Sequence, residues 1–495
     1  MAEKNILFNK TLIIAILFLF VFININSSTG VFVEKINHPL SKGNILYVGG
    51  SGEGNYTKIQ DAIDDAVDGD TILVYSNTYK ENILINKQLI LKGIELEDIP
   101  KIDGCNTDDV VTITADNCIF EGFWVVNSSE KNWSYSGIRV ASNLNIIKNN
   151  TISDNVNGIW MEESDNNTIY GNNFSWNIVG ISLAKSCNNN ISNNRFLNNT
   201  VGIHALYLSK YNIFSNNIID GSGFQLTQSS NNKITMNSIT NYSNVAFNIS
   251  AFGLSLYLSN NNEIMYNKIE NYEWVGISLE TSKNNLIFRN NIEHNGLYGV
   301  YLCGLSRKNV IKQNNIIENG FCDDFLPTII PTENAFIFKS FFNKWDENYW
   351  DDWSYKIPRP IKGRTGIIGF IPVFNFDWHP VKEPYNFNMA ESTSIVVREE
   401  NSKIKMTLVC GGQNYPSSGY SFAIDVTVRL NGTVLAENNL EGNTGWGIGE
   451  SLYIGGKTPI LDDNESAIDS LNPGEYTITV TIIETVIFDD SITIT

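Results

Sequence analysis

The sequence predicts an all-β chain: a right-handed parallel β-helix of about eleven coils with an N-terminal cap helix, followed by a C-terminal β-sandwich. Three observations predict it. A glycine opens a unit of about 22 residues, the strand after that glycine alternates with period two, and an asparagine recurs later in the unit.

The glycines are Gly137, Gly158, Gly180, Gly202, Gly223, Gly253, Gly276 and Gly299. A fixed period of this size marks a solenoid, in which each unit buries its apolar face only by stacking on its neighbours. The residue after each glycine is Ile138, Ile159, Ile181, Ile203, Phe224, Leu254, Ile277 or Val300. Two further on stand Val140, Met161, Leu183, Ala205, Leu226, Leu256, Leu279 and Leu302. Alternate strand residues share a face, so both sets point inward. Apolar spacing of three and four, which a helical repeat needs, is absent.

The recurring asparagines are Asn150, Asn172, Asn194, Asn216, Asn237, Asn267, Asn290 and Asn314. Asparagine tolerates a left-handed corner and its amide bonds to neighbours, so stacked coils are expected to align these side chains as a ladder. Asn-rich sequence also fits low-complexity disorder, but apolar residues interleaved at fixed register argue for packed coils.

Before the repeats, Ile59, Ala62, Ile63 and Ala66 share one helical face, which suits a short cap over the open end of the solenoid. The stretch from Leu46 through Gly52 and Gly69 to Val74 resembles the entrance of pectin-lyase-like β-helix proteins. The coils resemble NosD-like and carbohydrate-binding/sugar-hydrolase repeats, and Asn343 to Trp353 is similar to a closing motif of that family's surface proteins. The resemblance spans about residues 44–380 and implies the fold, with no definite activity. The expected division is 44–325 for the β-helix, 326–386 for a proline- and aromatic-rich cap and linker, and 392–495 for an immunoglobulin-like β-sandwich with a hairpin turn at Asn431-Gly432. That last module resembles extracellular sandwich modules around Asn472 to Val480.

Lys4 and Lys10 precede an uncharged run from Leu12 to Ile23, so residues 1–28 read as a signal peptide or N-terminal anchor, the chain's one membrane segment, and the protein as exported to the cell surface or medium. Export gives meaning to Asn-x-Ser/Thr sequons at Asn127, Asn132, Asn166, Asn173, Asn190, Asn241, Asn248 and Asn431. Cys105 with Cys118, and Cys303 with Cys322, stand near enough in sequence to pair, and Cys187 falls in a coil. With 53 acidic against 34 basic residues and a net charge of −19, the surface repels phosphate backbones and no nucleic-acid partner is expected.

Between and after the inward positions, outward columns run along the solenoid. One holds Arg139, Trp160, Ser182, His204, Gln225, Ser255, Ser278 and Tyr301. The next holds Ala141, Glu162, Ala184, Leu206, Thr227, Tyr257, Glu280 and Cys303. Rings beside polar groups suit sugars, so Arg139, Trp160, Glu162, His204, Gln225, Tyr257, Glu280 and Tyr301 are the candidate carbohydrate-contacting residues; a plain solvated sheet face is the alternative. No catalytic residue is assigned. Glycoside hydrolysis needs two carboxylates about 5–9.5 Å apart, whereas Glu162 and Glu280 lie five repeats apart, roughly 24 Å by strand spacing. Arg139 near Glu162 is a thin version of a uronate-lyase site. A polysaccharide lyase or hydrolase is therefore the rival reading. A copper-maturation role, implied by the NosD-like resemblance, is the third; four His and six Met in no cluster speak against it. No cofactor is expected, calcium being the one ion left open, and the expected partner is a carbohydrate or cell-surface polymer.

Overall fold

The computed structural model describes residues 43–386 apart from 95–97, 243–250, 321–332, 356 and 366–370. Beyond 392 it describes the backbone of seven strands. Residues 1–42 with the N-terminal apolar segment, Asn248, Cys322 and Asn431-Gly432 lie outside the described residues.

Each coil contributes three short strands, as in Asn157–Glu162, Thr168–Tyr170 and Asn173–Ser175. Every one pairs in parallel with its counterpart one coil away, so Ile159 lies beside Ile138 and Ile181, Ile169 beside Ile147 and Ile191, and Phe174 beside Ile152 and Phe196. The first two stacks belong to a 26-stranded sheet and the third forms a 12-stranded sheet. This is an all-β parallel solenoid. One third-stack strand per coil gives the expected eleven coils within 44–325, and a twelfth beyond them among the described residues. The coils also run past residue 325: Glu333–Phe338, Lys344–Asp346 and Tyr349–Trp350 form a further regular turn. Proline and aromatic content had suggested a plug there. The actual closure is an antiparallel hairpin of Arg359–Thr365 and Ile371–Asp377.

The inward sets from Ile138 to Val300 and from Val140 to Leu302 are wholly buried and form one continuous core. Phe174 and Phe196 stack at 4.7 Å with their planes 6° apart, one coil spacing. The repeated glycine is demanded by close approach: a Cβ at Gly180 would lie 2.5 Å from both the Gly202 carbonyl and the Phe196 ring.

The cap helix, Ile59–Asp65, buries Ile59, Ala62 and Ile63 over the first coil. Side chains from the connections flanking Ile83–Ile85 complete both ends. The Glu81 carboxylate accepts the Ile59 and Gln60 N–H groups at 3.0 Å, and Lys87 Nζ donates to the carbonyls of Ile63, Asp64 and Ala66. An anion at the N-terminus and a cation at the C-terminus complement the unsatisfied backbone groups of a helix too short to stand alone.

Three asparagine ladders run along the corners. The first is Asn145, Asn167, Asn189, Asn212, Asn232, Asn262, Asn285, Asn309 and Asn343. The second is Asn150, Asn172, Asn194, Asn217, Asn237, Asn267, Asn290, Asn314 and Asn348. The third, Asn155, Asn177 and Asn199, breaks off and resumes as Asn295, Asn319 and Asn334. Each carbonyl accepts the backbone N–H and the amide of the preceding coil, so Asn172 Oδ1 takes both from Asn150 at 3.0 Å.

In the second ladder the expected Asn216 is corrected to Asn217. Asn216 is the residue before it, at φ 53°. The left-handed corner and the stacked amide belong to neighbouring residues throughout: Asn149, Gly171, Asn193 and Asn216 take positive φ, while the ladder asparagines after them do not.

All amides in a ladder point the same way, oxygen toward the N-terminal coil and N–H toward the C-terminal one, so their dipoles add. The second ladder ends on the buried carboxylate of Asp377, whose Oδ2 accepts from Asn348 N, Asn348 Nδ2 and Trp350 Nε1 at 2.9–3.0 Å. The third ends on Asp351, which accepts from Asn334 at 2.8 Å. An acceptor with no N–H of its own is the chemically complete end of a chain that arrives donating.

After the solenoid, Thr393–Glu400, Lys403–Cys410 and Ser451–Ile454 form one antiparallel sheet. Thr433–Leu440, Ile424–Leu430, Gly474–Ile482 and Thr485–Ile494 form another. Among the described residues no helix is long and apolar enough to cross a membrane. Cys105 and Cys118 carry free thiols, correcting the expected pairing: Cys118 is buried in the core and its thiol is pushed up to about 11 by that burial, whereas Cys105 is exposed at a corner. Cys303 is also free, and Cys187 is only partly buried.

Candidate functional site

The first strand of each coil turns one set of side chains to the core and the other out, and parallel register stacks the outward set. Arg139, Trp160, Ser182, His204, Gln225, Ser255, Ser278 and Tyr301 are therefore lateral neighbours in that order. Glu162, Ala184, Leu206, Thr227, Tyr257, Glu280 and Cys303 form the adjacent column. The result is a ribbon of rings, hydroxyls and amides along the outer face of the long sheet.

Its charged groups are mostly committed. Arg139 Nη2 bonds Glu162 Oε2 at 3.0 Å, and its Nη1 stands 3.7 Å from Asp109. Asp109 is buried, accepting from the Ser136 N–H and hydroxyl; burial pushes its carboxyl upward while those bonds and Arg139 pull the other way. Arg139 is thus a structural cation between two carboxylates, not a free base. Glu280, five strands along from Glu162, has no carboxylate beside it in its column. His204 Nε2 lies 3.1 Å from Thr227 Oγ1, and burial lowers the imidazole below its ordinary value of 6.5, leaving a neutral ring at physiological pH. Trp160 Nε1 is shielded and has no partner.

A third outward column, the residue just before each glycine, was passed over in the sequence. It contains Phe252, Val275 and Tyr298. Tyr298 stacks on Tyr301 at 5.2 Å and on Phe336 at 5.2 Å, and with Val275 makes an apolar cluster outside the main core. Strict period two counted backward across the glycine would have placed it inward with Ile277 and Val300, so the alternation breaks at the glycine. Burial pushes the Tyr298 hydroxyl up to about 12 and raises Tyr301 as well.

The long connections between third and first strands occur at one corner. Residues 127–135, 241–251 and 318–332 all lie in sequence between a third strand and the next first strand, and the fully described one, 127–135, borders this face. Elsewhere that corner is short, as from Ser153 to Asn157. Insertions confined to one side of a solenoid mark its working side. The described insertion is wired to the face: Asn157 Nδ2 donates to the Trp133 and Tyr135 carbonyls, and its Oδ1 accepts from Ser182.

A second polar group, also missed, sits on the 12-stranded sheet. Glu270 accepts from Lys268 Nζ at 2.7 Å and from the Tyr242 hydroxyl at 2.6 Å. Glu293 is its direct strand neighbour, held above the usual carboxylate range by burial and then by Glu270. Outward Asp220, Thr240, Glu270 and Glu293 share this column, which the glycine-based alignment ignored.

Comparison with known proteins fits the architecture. Residues 63–251 match the profile of the family described as periplasmic copper-binding protein (NosD), and residues 205–326 match that described as right handed beta helix region. A cell surface glycoprotein of Methanothermus fervidus is 41% identical over 73 residues, 14% of this chain and 12% of its own length. The chain thus spans about an eighth of that relative. A mannuronan C-5 epimerase A-module from Azotobacter vinelandii aligns with TM-score 0.49 at 13% identity, covering 63% of this chain and 91% of the module. A lacto-N-biosidase from Eubacterium ramulus aligns at 0.42 and 11%, covering 61% and 67%. The β-helix assignment itself rests on the strand pairing, and the chain is a parallel β-helix protein with NosD-like coils.

Among the described residues the histidines do not gather into one donor set. His204 faces Thr227, His294 pairs with Glu318 and His379 with Asp346, in three separate places. Among the described residues no three His, Cys, Asp or Glu converge on one point.

Proposed function

We propose that this is an exported β-helix protein that holds neutral carbohydrate, free or within a cell-surface polymer, along the outer face of the long sheet, without catalysing its conversion. The observation that carries the reading is the in-register ribbon from Trp160 to Tyr301 beside the corner where the insertions emerge. Sugar rings stack on aromatic faces while the half-buried His204, Gln225 and Ser255 bond hydroxyls; Ser182 and Ser278 are buried beneath the surface of the ribbon. The one cation of the ribbon, Arg139, is already neutralised by Glu162 and Asp109, and the net charge of −19 disfavours polyanions. The surface glycoprotein relative and the periplasmic family support a location outside the cytoplasm. The C-terminal strands are read as an immunoglobulin-like spacer or docking module. A glycan array probed with the full chain tests this: neutral glycans should be retained, and retention of polyuronates or sulfated glycans alone would refute it.

A second reading, hydrolysis, is favoured by one observation. Glu270 and Glu293 lie on adjacent coils about 4.8 Å apart, near the separation of a glycosidase pair. Against it, Glu270 is already engaged by Lys268 and Tyr242. Release of reducing ends from an array-positive glycan, abolished by Glu293→Gln, would establish hydrolysis and displace the binding-only reading.

A further inference from the structure

Nine Asn-x-Ser/Thr sequons begin at described residues, and they meet very different surroundings. To accept a glycan, the asparagine amide must reach a transferase with its hydroxyl residue two positions on, so the backbone between them has to leave the fold. In most of these sequons it is held. Asn55 Nδ2 is bonded to the Gly49 carbonyl and Asn127 Nδ2 to Asp103. Asn149, Asn166 and Asn198 occupy positive-φ corners directly before buried ladder asparagines, Asn150, Asn167 and Asn199. Asn173 and Asn190 open third- and second-stack strands whose residues pair on both sides, Asn173–Ser175 and Asn190–Ser192. Asn241 directly precedes Tyr242, which is tied to Glu270 and Asp220.

Asn132-Trp133-Ser134 differs. It lies in the 127–135 connection, outside every strand. Asn132 is exposed and Trp133 is 74% exposed. The Asn132 Oδ1 accepts the Ser134 N–H at 3.3 Å, which folds the acceptor amide toward its own hydroxyl residue and leaves the Nδ2 side outward.

We infer that Asn132 is an N-glycan acceptor of the folded protein. The donor class is an oligosaccharide carried on a polyisoprenyl diphosphate. Asn132 Nδ2 attacks the anomeric carbon, the new C–N bond forms as the C–O bond to the diphosphate breaks, and Nδ2 gives up one proton to a base of the transferase; no oxidation or reduction occurs. The connection carrying Asn132 is bonded through Trp133 and Tyr135 to Asn157 at the edge of the outer face. The glycan therefore stands at the border of the ribbon, on the side of Asn157. The inference does not depend on whether that ribbon binds sugar.

The test uses the folded full chain with a purified oligosaccharyltransferase and its lipid-linked donor, followed by tryptic mapping. Cleavage after Lys131 and Arg139 isolates the Asn132 sequon on one peptide, 132–139. Modification is expected on that peptide, retained by Ser134→Thr and lost with Ser134→Ala. The same enzyme must modify a synthetic peptide of the 129–139 sequence. Given that, an unmodified 132–139 peptide in the folded chain overturns the inference, as does heavier occupancy at Asn166 or Asn173.

Discussion

Asn217 and Asn216 are neighbours of the same type with opposite expected responses to substitution. Replacing Asn217 with Ala removes the Oδ1 that accepts from Asn194 N at 3.0 Å and Asn194 Nδ2 at 3.2 Å, and the Nδ2 that donates to the Ile191 carbonyl at 2.9 Å. Asn194 Nδ2 keeps the Ile169 and Ser192 carbonyls, so its loss is small. The Asn194 N–H and the Ile191 carbonyl are left buried without those partners. At about 1–3 kcal/mol for each orphaned group, the cost is roughly 2–6 kcal/mol. Asn216 sits in the left-handed region at φ 53°, where glycine is at no steric disadvantage, so Asn216→Gly should stay within about 1 kcal/mol. Solenoids need not unfold in one step, so native-state hydrogen exchange is the suitable assay, read at the Asn194 amide and its neighbours beside a urea midpoint. Asn217→Ala should accelerate exchange at Asn194 and lower the midpoint, while Asn216→Gly leaves both near wild type. Equal responses would refute the assigned register and the claim that the stacked amide, rather than the corner, holds the coils.

The ladder's end gives a second expectation. Asp377→Ala strands the Asn348 N–H and Trp350 Nε1–H, Asn348 Nδ2 keeping the Ile311 carbonyl, and should cost roughly 2–6 kcal/mol, whereas Asp377→Asn, still offering one carbonyl, should cost less than half of that by thermal denaturation. Phe174→Ala opens a cavity against Phe196 and should cost about 3–5 kcal/mol in the same assay. For His204 the folded imidazole value lies below 6.5, so its contribution is fully present above that value and lost as pH falls through the lowered one. Melting temperatures compared between about pH 7.5 and pH 5 should fall less for His204→Gln than for wild type; identical slopes would exclude the buried neutral ring.

The solenoid was legible because its inward pattern is redundant: two apolar positions per coil repeat across eight glycines, and all sixteen residues are buried. The glycine itself was legible as a marker, though its reason, contact with the next coil's carbonyl, needed three dimensions. What failed did so locally. In the coil holding Asn216, the repeat is locally longer, and Asn-Asn-Ile offers two registers that only the φ sign and the Asn237 bond distinguish. The first and third ladders were hidden because Asn145 and Asn155 stand in an Asn-rich background where no single spacing stands out. On the face, the Trp160 and Tyr301 columns followed from period two, while the Tyr298 stack lay on the unconsidered side of the glycine. Lys268, Glu270 and Glu293 lie in third-stack strands of three residues, too short to show alternation. Pairing of Cys105 with Cys118 assumed that closeness in sequence is closeness in space, which fails when each coil carries the chain around the solenoid.

Binding at the ribbon is the central claim, and a calorimetric titration tests it most directly. The full chain would be titrated with a neutral oligosaccharide identified on the array, beside Trp160→Ala/Tyr301→Ala and Trp124→Ala, the last removing a 37% exposed ring on the 12-stranded sheet, away from the ribbon's columns. The ribbon variant should lose at least tenfold in affinity, about 1.4 kcal/mol, at a temperature where its far-UV spectrum is that of wild type, and Trp124→Ala should bind as wild type. Undiminished affinity in the ribbon variant, or loss confined to Trp124→Ala, would contradict the account.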